Sequence, residues 1–476
     1  MSDNQKGDKV KTDSTSTAYK SVYFEDIKLL EDKLNNISPS FCLAKWFNVS
    51  IHIPTGRTHS CYHPLSHHIP LTELQQDPSA LHNTKHKKEQ RAKMLNGERP
   101  KECEFCWALE DQGNISDRAY RSLDVIEEGI FEEALKEGAT GNPVPRYVEV
   151  NFNQACNLKC AYCSPSLSTE WLKETKKYGA YKLYDKEHNH PSYVDSLKID
   201  NSPNNPYVEA FWKWFPEIYS KLKTFRMTGG EPLMDKNTFK VFDYVKNNPH
   251  KQLHLSITSN CCPPGEQWSK FLTSLKEITD KDAIEHFMLY CSLDSWGEQA
   301  EYIRNGMNFN TLYKNVCDYL NKSDKHSLTF IVTANILSLP NWEVYIQNIL
   351  KMRQEFNTNR QLIWFDTPML HDPNWMSMKL ASKEMLQPLL NSIEFMEANK
   401  ETKENRYKGF KDFEVDRVKR LYDWACDKMP PPLEDIAKKN FYLYFTEHDK
   451  RRNTNIQVVF PTFEKFINEC KELTNE

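Results

Sequence analysis

Six short runs rich in β-branched and aromatic residues lie between residues 146 and 368, and helix-like segments separate them. The runs cover residues 146–153, 224–231, 253–260, 286–294, 328–335 and 361–368. Segments between them, such as residues 237–248 and 341–356, carry apolar residues at helical spacing. This alternation predicts right-handed βαβ units and a parallel sheet, so the expected fold class is α/β. Six strands suit a partial barrel or an open sheet, and they are too few for a complete eight-stranded barrel.

Polar residues gather where these runs end. The ends read TGGE at 228–231, TSN at 258–260, SLD at 292–294, TAN at 333–335 and DTP at 366–368. The carboxyl ends of parallel strands share one edge of the sheet, and α/β folds bind their ligands at that edge. The pattern therefore predicts a ligand site there.

The segments outside this alternating region have different patterns. Residues 1–20 are polar and contain no apolar stretch, which indicates a disordered lead and not a secretory signal. Residues 164–223 form a long insertion, and residues 371–476 carry helical patterns only, which predicts a helical C-terminal region. No run reaches the roughly 18 apolar residues of a membrane helix. We therefore expect a cytoplasmic protein without a membrane partner.

Charge and cysteine content limit the class of protein further. The formal net charge of −4 is mild and does not indicate a dedicated nucleic-acid partner. Two basic runs, at 85–93 and 450–452, are predicted to be solvated helix faces. Thirteen cysteines in a chain without a secretory signal are better explained by metal sites and buried thiols than by disulfides.

Three of these cysteines, Cys156, Cys160 and Cys163, stand in the sequence CNLKCAYC directly after the first predicted strand. Thiolates are soft ligands that select iron–sulfur clusters or zinc. A structural zinc site needs a fourth protein ligand, and the residues that follow, SPSLSTEW, offer none. The spacing predicts a metal site in this loop whose remaining ligand is a distant cysteine or a group that is not protein.

The CxxxCxxC spacing after the first strand, with GGE at the end of the second, resembles the radical S-adenosylmethionine enzymes. The resemblance implies a partial (β/α)6 barrel over residues 145–370. It also implies a 4Fe-4S cluster, in which the three cysteines hold three irons and S-adenosylmethionine chelates the fourth. Tyr162 matches the aromatic residue that precedes the third cysteine in that family and packs near the adenine.

The GGE motif comprises Gly229, Gly230 and Glu231. Glycines let a backbone approach a ligand without a Cβ clash, and the glutamate offers an acceptor for an ammonium group. In the family this motif contacts the methionyl amino group of S-adenosylmethionine. A tight strand-to-helix turn is the alternative interpretation.

Four more residues match positions that bind S-adenosylmethionine in the family. Ser292 and Asp294, which share one side of a strand, match contacts to the ribose hydroxyls. Arg304 resembles an arginine that pairs with the methionyl carboxylate, and Asn335 ends the fifth strand at the same edge. A helix cap for the aspartate and a surface position for the arginine are the alternatives.

A second set of cysteines, Cys42, Cys61, Cys103 and Cys106, precedes the alternating region and suffices for one closed zinc or iron–sulfur site. Thirteen residues separate Cys42 from Gly56 and four separate Gly56 from Cys61. This spacing, with a predicted β-hairpin around PTG, resembles the auxiliary-cluster domains called SPASM and twitch. The resemblance implies a small twitch-like iron–sulfur domain over residues 38–110 that precedes the barrel, whereas such domains usually follow it.

The resemblance implies the chemistry as well. A reduced cluster would cleave S-adenosylmethionine to methionine and a 5′-deoxyadenosyl radical, which abstracts hydrogen from a substrate. The second cluster would accept an electron or bind the substrate. We expect a peptide or protein substrate and an electron donor such as flavodoxin or ferredoxin. A small-molecule dehydrogenase and a non-catalytic metal-binding scaffold are the alternatives.

Overall fold

The computed structural model describes residues 24–322 and 326–475, so the predicted disordered lead at residues 1–20 lies outside the described residues. The strands are β1 Asn48–His52, β2 Arg57–His59, β3 His67–His68, β4 Tyr147–Asn151, β5 Lys159–Cys160, β6 Tyr181–Lys182, β7 Glu187–His188, β8 Thr224–Thr228, β9 His250–Ser259, β10 Ile284–Ser292, β11 Arg304–Asn305, β12 His326–Ile331 and β13 Ile363–Asp366.

The helices up to the end of the alternating region are α1 Phe24–Ile37, α2 Leu43–Phe47, α3 Leu71–Gln76, α4 Lys85–Leu95, α5 Glu104–Glu110, α6 Asp117–Leu123, α7 Ile130–Glu137, α8 Thr169–Tyr178, α9 Pro191–Ser196, α10 Pro206–Ile218, α11 Lys236–Asn247, α12 Gln267–Asp280, α13 Glu298–Ile303, α14 Phe309–Leu320 and α15 Trp342–Phe356. The C-terminal helices are α16 Gln387–Ala398, α17 Asp412–Cys426, α18 Pro431–Arg452, α19 Ile456–Val459 and α20 Glu464–Asn475.

One large, mostly parallel sheet organises the protein, in the strand order β13-β12-β10-β9-β8-β4-β1-β2-β3. The six predicted strands are β4, β8, β9, β10, β12 and β13, and each pairs in parallel with the next of these along the chain. The prediction of an α/β fold with a parallel sheet and a helical C-terminal region is confirmed.

The two faces of this sheet differ in chemistry because side chains alternate along each strand. The apolar face carries Val148, Phe225, Leu255, Leu289 and Phe330, all at most 1% exposed. Aromatic side chains of α10, α11 and α12 pack against this face, with ring centroids 5–6 Å apart at Phe215–Phe225, Phe242–Phe287 and Phe271–Phe287. Edge-to-face and tilted pairs of this kind stabilise the packing beyond simple area burial.

The opposite face, here called the polar face, carries Ser50, Glu149, Arg226, Thr258 and Tyr290. Its charged and hydroxyl groups stand in the middle of parallel strands, where apolar residues are the rule. This polar face is therefore the side of the sheet that can bind a ligand.

The predicted β-hairpin of the N-terminal segment is confirmed, and it extends the same sheet. β1 pairs in parallel with β4, and β2 pairs antiparallel with β1. Gly56 ends the turn at φ 59°, and a Cβ there would lie 2.2 Å from the ring of Tyr207. The left-handed backbone and the close ring both require glycine at this position.

The C-terminal helices pack onto the α/β region. Arg353 of α15 and Glu414 of α17 form an ion pair with fully buried side chains, at an N–O distance of 2.5 Å. None of the helices within the described ranges is both long enough and apolar enough to cross a lipid bilayer.

The prediction that basic residues 85–93 form a solvated helix face is wrong for two of them. Lys87 is 1% exposed and Arg91 is 0% exposed. The Lys87 ammonium donates to the Asn48 carbonyl at 3.1 Å, and the Arg91 guanidinium donates to the Lys45 carbonyl at 3.0 Å. These cations satisfy carbonyl groups around α2 and the start of β1, which a sequence pattern could not reveal.

Candidate functional site

The three-cysteine loop begins beyond the carboxyl end of β4, at the predicted ligand edge. Cys156 and Cys160 are buried, and Cys163 is partly buried. Burial and, to a smaller extent, the neighbouring Cys160 thiol raise the pKa of Cys163 to about 12. Burial also raises the pKa of Cys156, again with a contribution from Cys160. The three thiols are thus close enough to influence one another's ionisation, and a bound metal would replace their protons.

Side-chain hydrogen bonds to two neighbouring segments fix the conformation of this loop. The side-chain amide of Asn157 donates to the Cys262 carbonyl at 2.7 Å, and the side-chain amide of Asn260 donates to the Asn157 side-chain oxygen at 2.9 Å. The Trp171 indole donates to the Cys160 carbonyl at 2.8 Å. The segment after β9 and the start of α8 therefore hold the loop in place.

The C-terminal helix α18 supplies a further set of contacts to the loop. The Tyr444 hydroxyl donates to the Ala161 carbonyl at 2.6 Å, and Arg452 donates to the Lys159 carbonyl at 2.8 Å. Arg452 also pairs with Glu174 at 3.1 Å, and both side chains are at most 2% exposed. The prediction that residues 450–452 form a solvated face is therefore wrong for Arg452 and for Arg451, whose side chain is 3% exposed, although Lys450 is 80% exposed.

The two glycines of the GGE motif let the end of β8 pack directly against the segment that leads into the loop. A Cβ on Gly229 would lie 2.6 Å from the Asn151 side chain, and one on Gly230 would lie 2.3 Å from the Ala155 carbonyl. The Glu231 backbone amide donates to that same carbonyl at 2.6 Å. The close approach that these glycines permit is to other parts of the protein, in agreement with the tight-turn alternative, and it places Glu231 beside the cysteine loop.

Glu231 is a buried carboxylate, 1% exposed, that accepts hydrogen bonds only from neutral groups among the described residues. Its donors are the Ser259 hydroxyl at 2.9 Å and the backbone amides of Asn260 at 2.7 Å and Leu233 at 3.1 Å. Burial raises the pKa of Glu231 to about 7 despite these hydrogen bonds. A cationic ligand group would stabilise its ionised form, as the resemblance implies for the methionyl ammonium.

Tyr162, Asp294 and Arg304 form one buried group beside the loop. The Tyr162 hydroxyl donates to Asp294 at 2.8 Å, and Arg304 pairs with Asp294 at 2.9 Å. The predicted ribose contact for Asp294 and carboxylate contact for Arg304 stay predictions, and both side chains already have protein partners. Arg304 is 6% exposed and does not lie at the surface.

Ser292 and Asn335 differ in their surroundings. Ser292 is partly exposed at the end of β10. Asn335 is fully buried, accepts from the Leu337 amide at 3.0 Å and donates to the Thr333 carbonyl at 2.8 Å. Its side chain caps the turn that follows β12, so its predicted ligand contact stays a prediction.

The second cysteine set converges as well. Cys42, Cys61, Cys103 and Cys106 line one cavity, together with Lys45, Trp107, Asp117, Arg118 and Arg121 among others. Burial raises the pKa of Cys103 and of Cys106 to about 12, and the Cys42 thiol contributes to both shifts. Four thiols around one cavity supply the soft donors that zinc and iron–sulfur clusters select.

The two cysteine sets lie towards opposite ends of the strands in the sheet. Cys61 is two residues beyond His59, which pairs with Ser50, and β2 runs antiparallel to β1. It therefore lies near the level of Tyr147 at the start of β4, whereas Cys156 follows the end of that strand. The four residue steps from Tyr147 to Asn151, the two ends of β4, span roughly 13 Å.

The polar face contacts the residue that follows Cys61, and sequence reasoning missed it. The Tyr62 hydroxyl, one residue after Cys61, lies 2.9 Å from the Tyr147 hydroxyl and 3.4 Å from Glu149. Arg226 is 3.6 Å from Glu149 and stacks over the Tyr290 ring at 4.2 Å. The sequence carries one indication of this face, because a charged residue stands in the middle of two predicted strands, in VEV and in FRM.

The four histidines around Cys61 are hydrogen-bonded. Their partners are His52 for His59 at 2.9 Å, Asp117 for His63 at 2.7 Å, Thr84 for His67 at 2.8 Å and Tyr207 for His68 at 3.4 Å. Within residues 24–322 and 326–475, no three His, Cys, Asp or Glu side chains are placed to ligate a single metal ion. The thiolates of an iron–sulfur cluster bind different iron atoms, so they stand further apart than the ligands of one ion.

Comparison with known proteins adds no assignment to this geometry. No protein-family model matches the chain, and a search of curated proteins also finds no match.

Proposed function

We propose that this chain is a radical S-adenosylmethionine oxidoreductase. The observation that carries the proposal is the meeting of two sequence motifs at one edge of a parallel sheet. The loop with Cys156, Cys160 and Cys163 follows the first of six parallel strands, and Glu231, at the end of the second, bonds through its backbone to Ala155 beside Cys156. The motifs are 68 residues apart between Cys163 and Glu231, so this contact is a property of the fold.

The protein residues have defined parts in this proposal. The three thiolates would hold three irons of a 4Fe-4S cluster, and Glu231 would accept a hydrogen bond from the ammonium group of S-adenosylmethionine. When bound, the cluster and S-adenosylmethionine together supply a 5′-deoxyadenosyl radical that removes hydrogen from a substrate. The contacts from α8, β9 and α18 hold the loop and keep its orientation towards the sheet edge.

The four-cysteine cavity would hold an auxiliary iron–sulfur cluster in a twitch-like domain. The separation of about 13 Å along the strands leaves room for a substrate between the two sets. The polar face would form the floor of that space, and its paired Glu149 and Arg226 offer both an acceptor and donors for a peptide group. A peptide or protein substrate is therefore favoured over an apolar small molecule.

Reaction with S-adenosylmethionine tests the proposal directly. Protein reconstituted with iron and sulfide under anaerobic conditions should form 5′-deoxyadenosine and methionine when dithionite and S-adenosylmethionine are added. Cys160→Ala should form neither, and Cys426→Ala, which changes an exposed cysteine, should match the wild type. Reconstituted wild-type protein that forms no 5′-deoxyadenosine would favour the alternative of a non-catalytic metal-binding scaffold.

A further inference from the structure

Asp294 and Arg304 form a buried ion pair with one hydrogen bond. One guanidinium nitrogen of Arg304, Nη2, donates to Asp294 Oδ1 at 2.9 Å, and Nε lies 2.9 Å from Oδ2. The side chains are 7% exposed for the arginine and 0% exposed for the aspartate. A charge-assisted hydrogen bond in a buried setting restricts the orientation of both groups.

The Asp294 carboxylate also accepts hydrogen bonds from other protein groups. The Tyr162 hydroxyl donates to Oδ2 at 2.8 Å, and the Thr333 backbone amide donates to Oδ1 at 2.8 Å. A carboxylate offers about four acceptor positions, and Asp294 uses three of them for hydrogen bonds, with Arg304 Nε lying beside Oδ2 as well. Ribose hydroxyls would have to displace protein donors to bind there.

The free arm of Arg304 points to the cysteine loop. Its Nη1 donates to Cys160 Sγ at 3.6 Å. The backbones of the same two residues are paired, because Arg304 of β11 faces Cys160 of β5 in an antiparallel ladder. Arg304 therefore reaches Cys160 through both its main chain and its side chain, and Asp294 holds the guanidinium in this position.

We propose that Arg304 is a positioning residue for Cys160, whose guanidinium donates to the Cys160 thiolate and makes a cluster bound there easier to reduce, and that it does not bind S-adenosylmethionine. This inference rests on the proposed function, since it concerns the cluster of the three-cysteine loop. Hydrogen bonds and positive charge near ligand sulfurs stabilise the more negative, reduced state of a cluster. The arrangement also departs from the carboxylate contact that the resemblance implies for Arg304.

The test compares two measured quantities in Arg304→Met. One is the midpoint potential of the three-cysteine cluster, followed by EPR in a Cys103→Ala/Cys106→Ala background so that no second cluster contributes. The other is the affinity for S-adenosylmethionine from calorimetry. We expect a more negative potential and an unchanged affinity. An affinity loss of about tenfold or more with an unchanged potential would make Arg304 a ligand of S-adenosylmethionine and overturn the inference.

Two further variants test the inference if Arg304→Met fails to assemble a cluster. Arg304→Lys keeps the charge, but a single ammonium cannot span both Asp294 and Cys160, so a smaller negative shift is expected. Asp294→Asn removes the negative charge that pairs with Arg304, so it should shift the midpoint potential in the positive direction. Arg420→Met, which changes an exposed arginine of α17, is the control and should leave the potential unchanged.

The outcomes separate this inference from the proposed function. A wild-type protein whose three-cysteine loop binds no cluster would contradict both. A cluster that forms there and keeps the same potential in Arg304→Met and Arg304→Lys would contradict only the assignment of Arg304.

Discussion

The two cysteine sites of this protein are built in different ways. In the N-terminal site, four thiols surround a cavity that cationic side chains such as Lys45 and Arg121 also line. In the other site, three thiols lie on a loop that hydrogen bonds from α8, from the segment after β9 and from α18 hold in place. Four thiolates complete the protein ligands of a cluster, whereas three leave one iron to another ligand. In the proposed function the three-cysteine site is therefore the open site and the four-cysteine site the closed site, and contacts from outside the loop hold the open site where no fourth thiolate does.

Loss of one thiol from the open site should have the largest effect. Cys160→Ala should abolish formation of 5′-deoxyadenosine, since a methyl group cannot ligate iron. Wild-type protein should hold about eight irons if both sites bind 4Fe-4S clusters, and the variant about half of them. Iron analysis and mass spectrometry of the nucleoside product measure both. Full cleavage activity in the variant would refute the assignment of the open site.

Loss of the closed site should have the complementary effect. Cys103→Ala/Cys106→Ala should also lose about half of the iron, yet it should still cleave S-adenosylmethionine, because the open site and its bracing elements lie elsewhere. Metal analysis of the Cys160→Ala protein identifies the remaining metal. Stoichiometric zinc there would contradict an auxiliary cluster and leave the proposal for the open site standing.

Removal of a bracing contact should weaken the fold around the open site. Arg452→Met leaves the buried Glu174 with only Lys159 as a cationic partner. Breaking a buried ion pair costs about 3 kcal/mol when no other partner remains, and Lys159 reduces this cost. Urea unfolding measures the change, and Lys450→Met is the matched exposed control, expected within about 0.5 kcal/mol of the wild type. Equal stability of the two variants would argue against the bracing role of α18.

The pH dependence of unfolding gives a second measure of the same contact. Burial alone would raise the pKa of Glu174, but Arg452, with hydrogen bonds from Lys159 and Tyr181, lowers it to about 2 from its ordinary 4.5. A lowered carboxyl pKa contributes stability that is present above pH 4.5 and is lost as the pH falls through 2. The free energy of unfolding should therefore decline less steeply over this range in Arg452→Met than in the wild type.

A change at Glu231 should have the smallest effect and test the ligand side of the open site. Glu231→Gln should weaken binding of S-adenosylmethionine by roughly 1.5–3 kcal/mol, or about ten- to a hundredfold, because a charge-assisted hydrogen bond is lost. Its iron content should stay that of the wild type. Calorimetry measures the affinity, and an equal affinity in both proteins would leave Glu231 with a structural role in the turn alone.

The strands, the hairpin and the closeness of the cysteines could be predicted from the sequence because their determinants are local. Alternating patterns define the strands, and short spacings place Cys156, Cys160 and Cys163 on one loop. A parallel sheet then brings Glu231 to the same edge without further information.

The bracing residues could not be predicted in this way. Arg452 is 293 residues from its Lys159 partner, and its basic neighbours suggested a solvated face. Lys87 and Arg91 are buried for the same reason, since distant carbonyl groups accept their hydrogen bonds. The partners of Asp294 likewise come from separate loops, and only the fold places Tyr162 and Thr333 around it.

The central claim is that only the three-cysteine site leaves a coordination position for S-adenosylmethionine. The EPR spectrum of dithionite-reduced protein, recorded before and after addition of S-adenosylmethionine, tests it most directly. The cluster spectrum should change in the wild type and in Cys103→Ala/Cys106→Ala, and it should stay the same in Cys160→Ala. An unchanged spectrum in Cys103→Ala/Cys106→Ala, or a changed one in Cys160→Ala, would contradict the account.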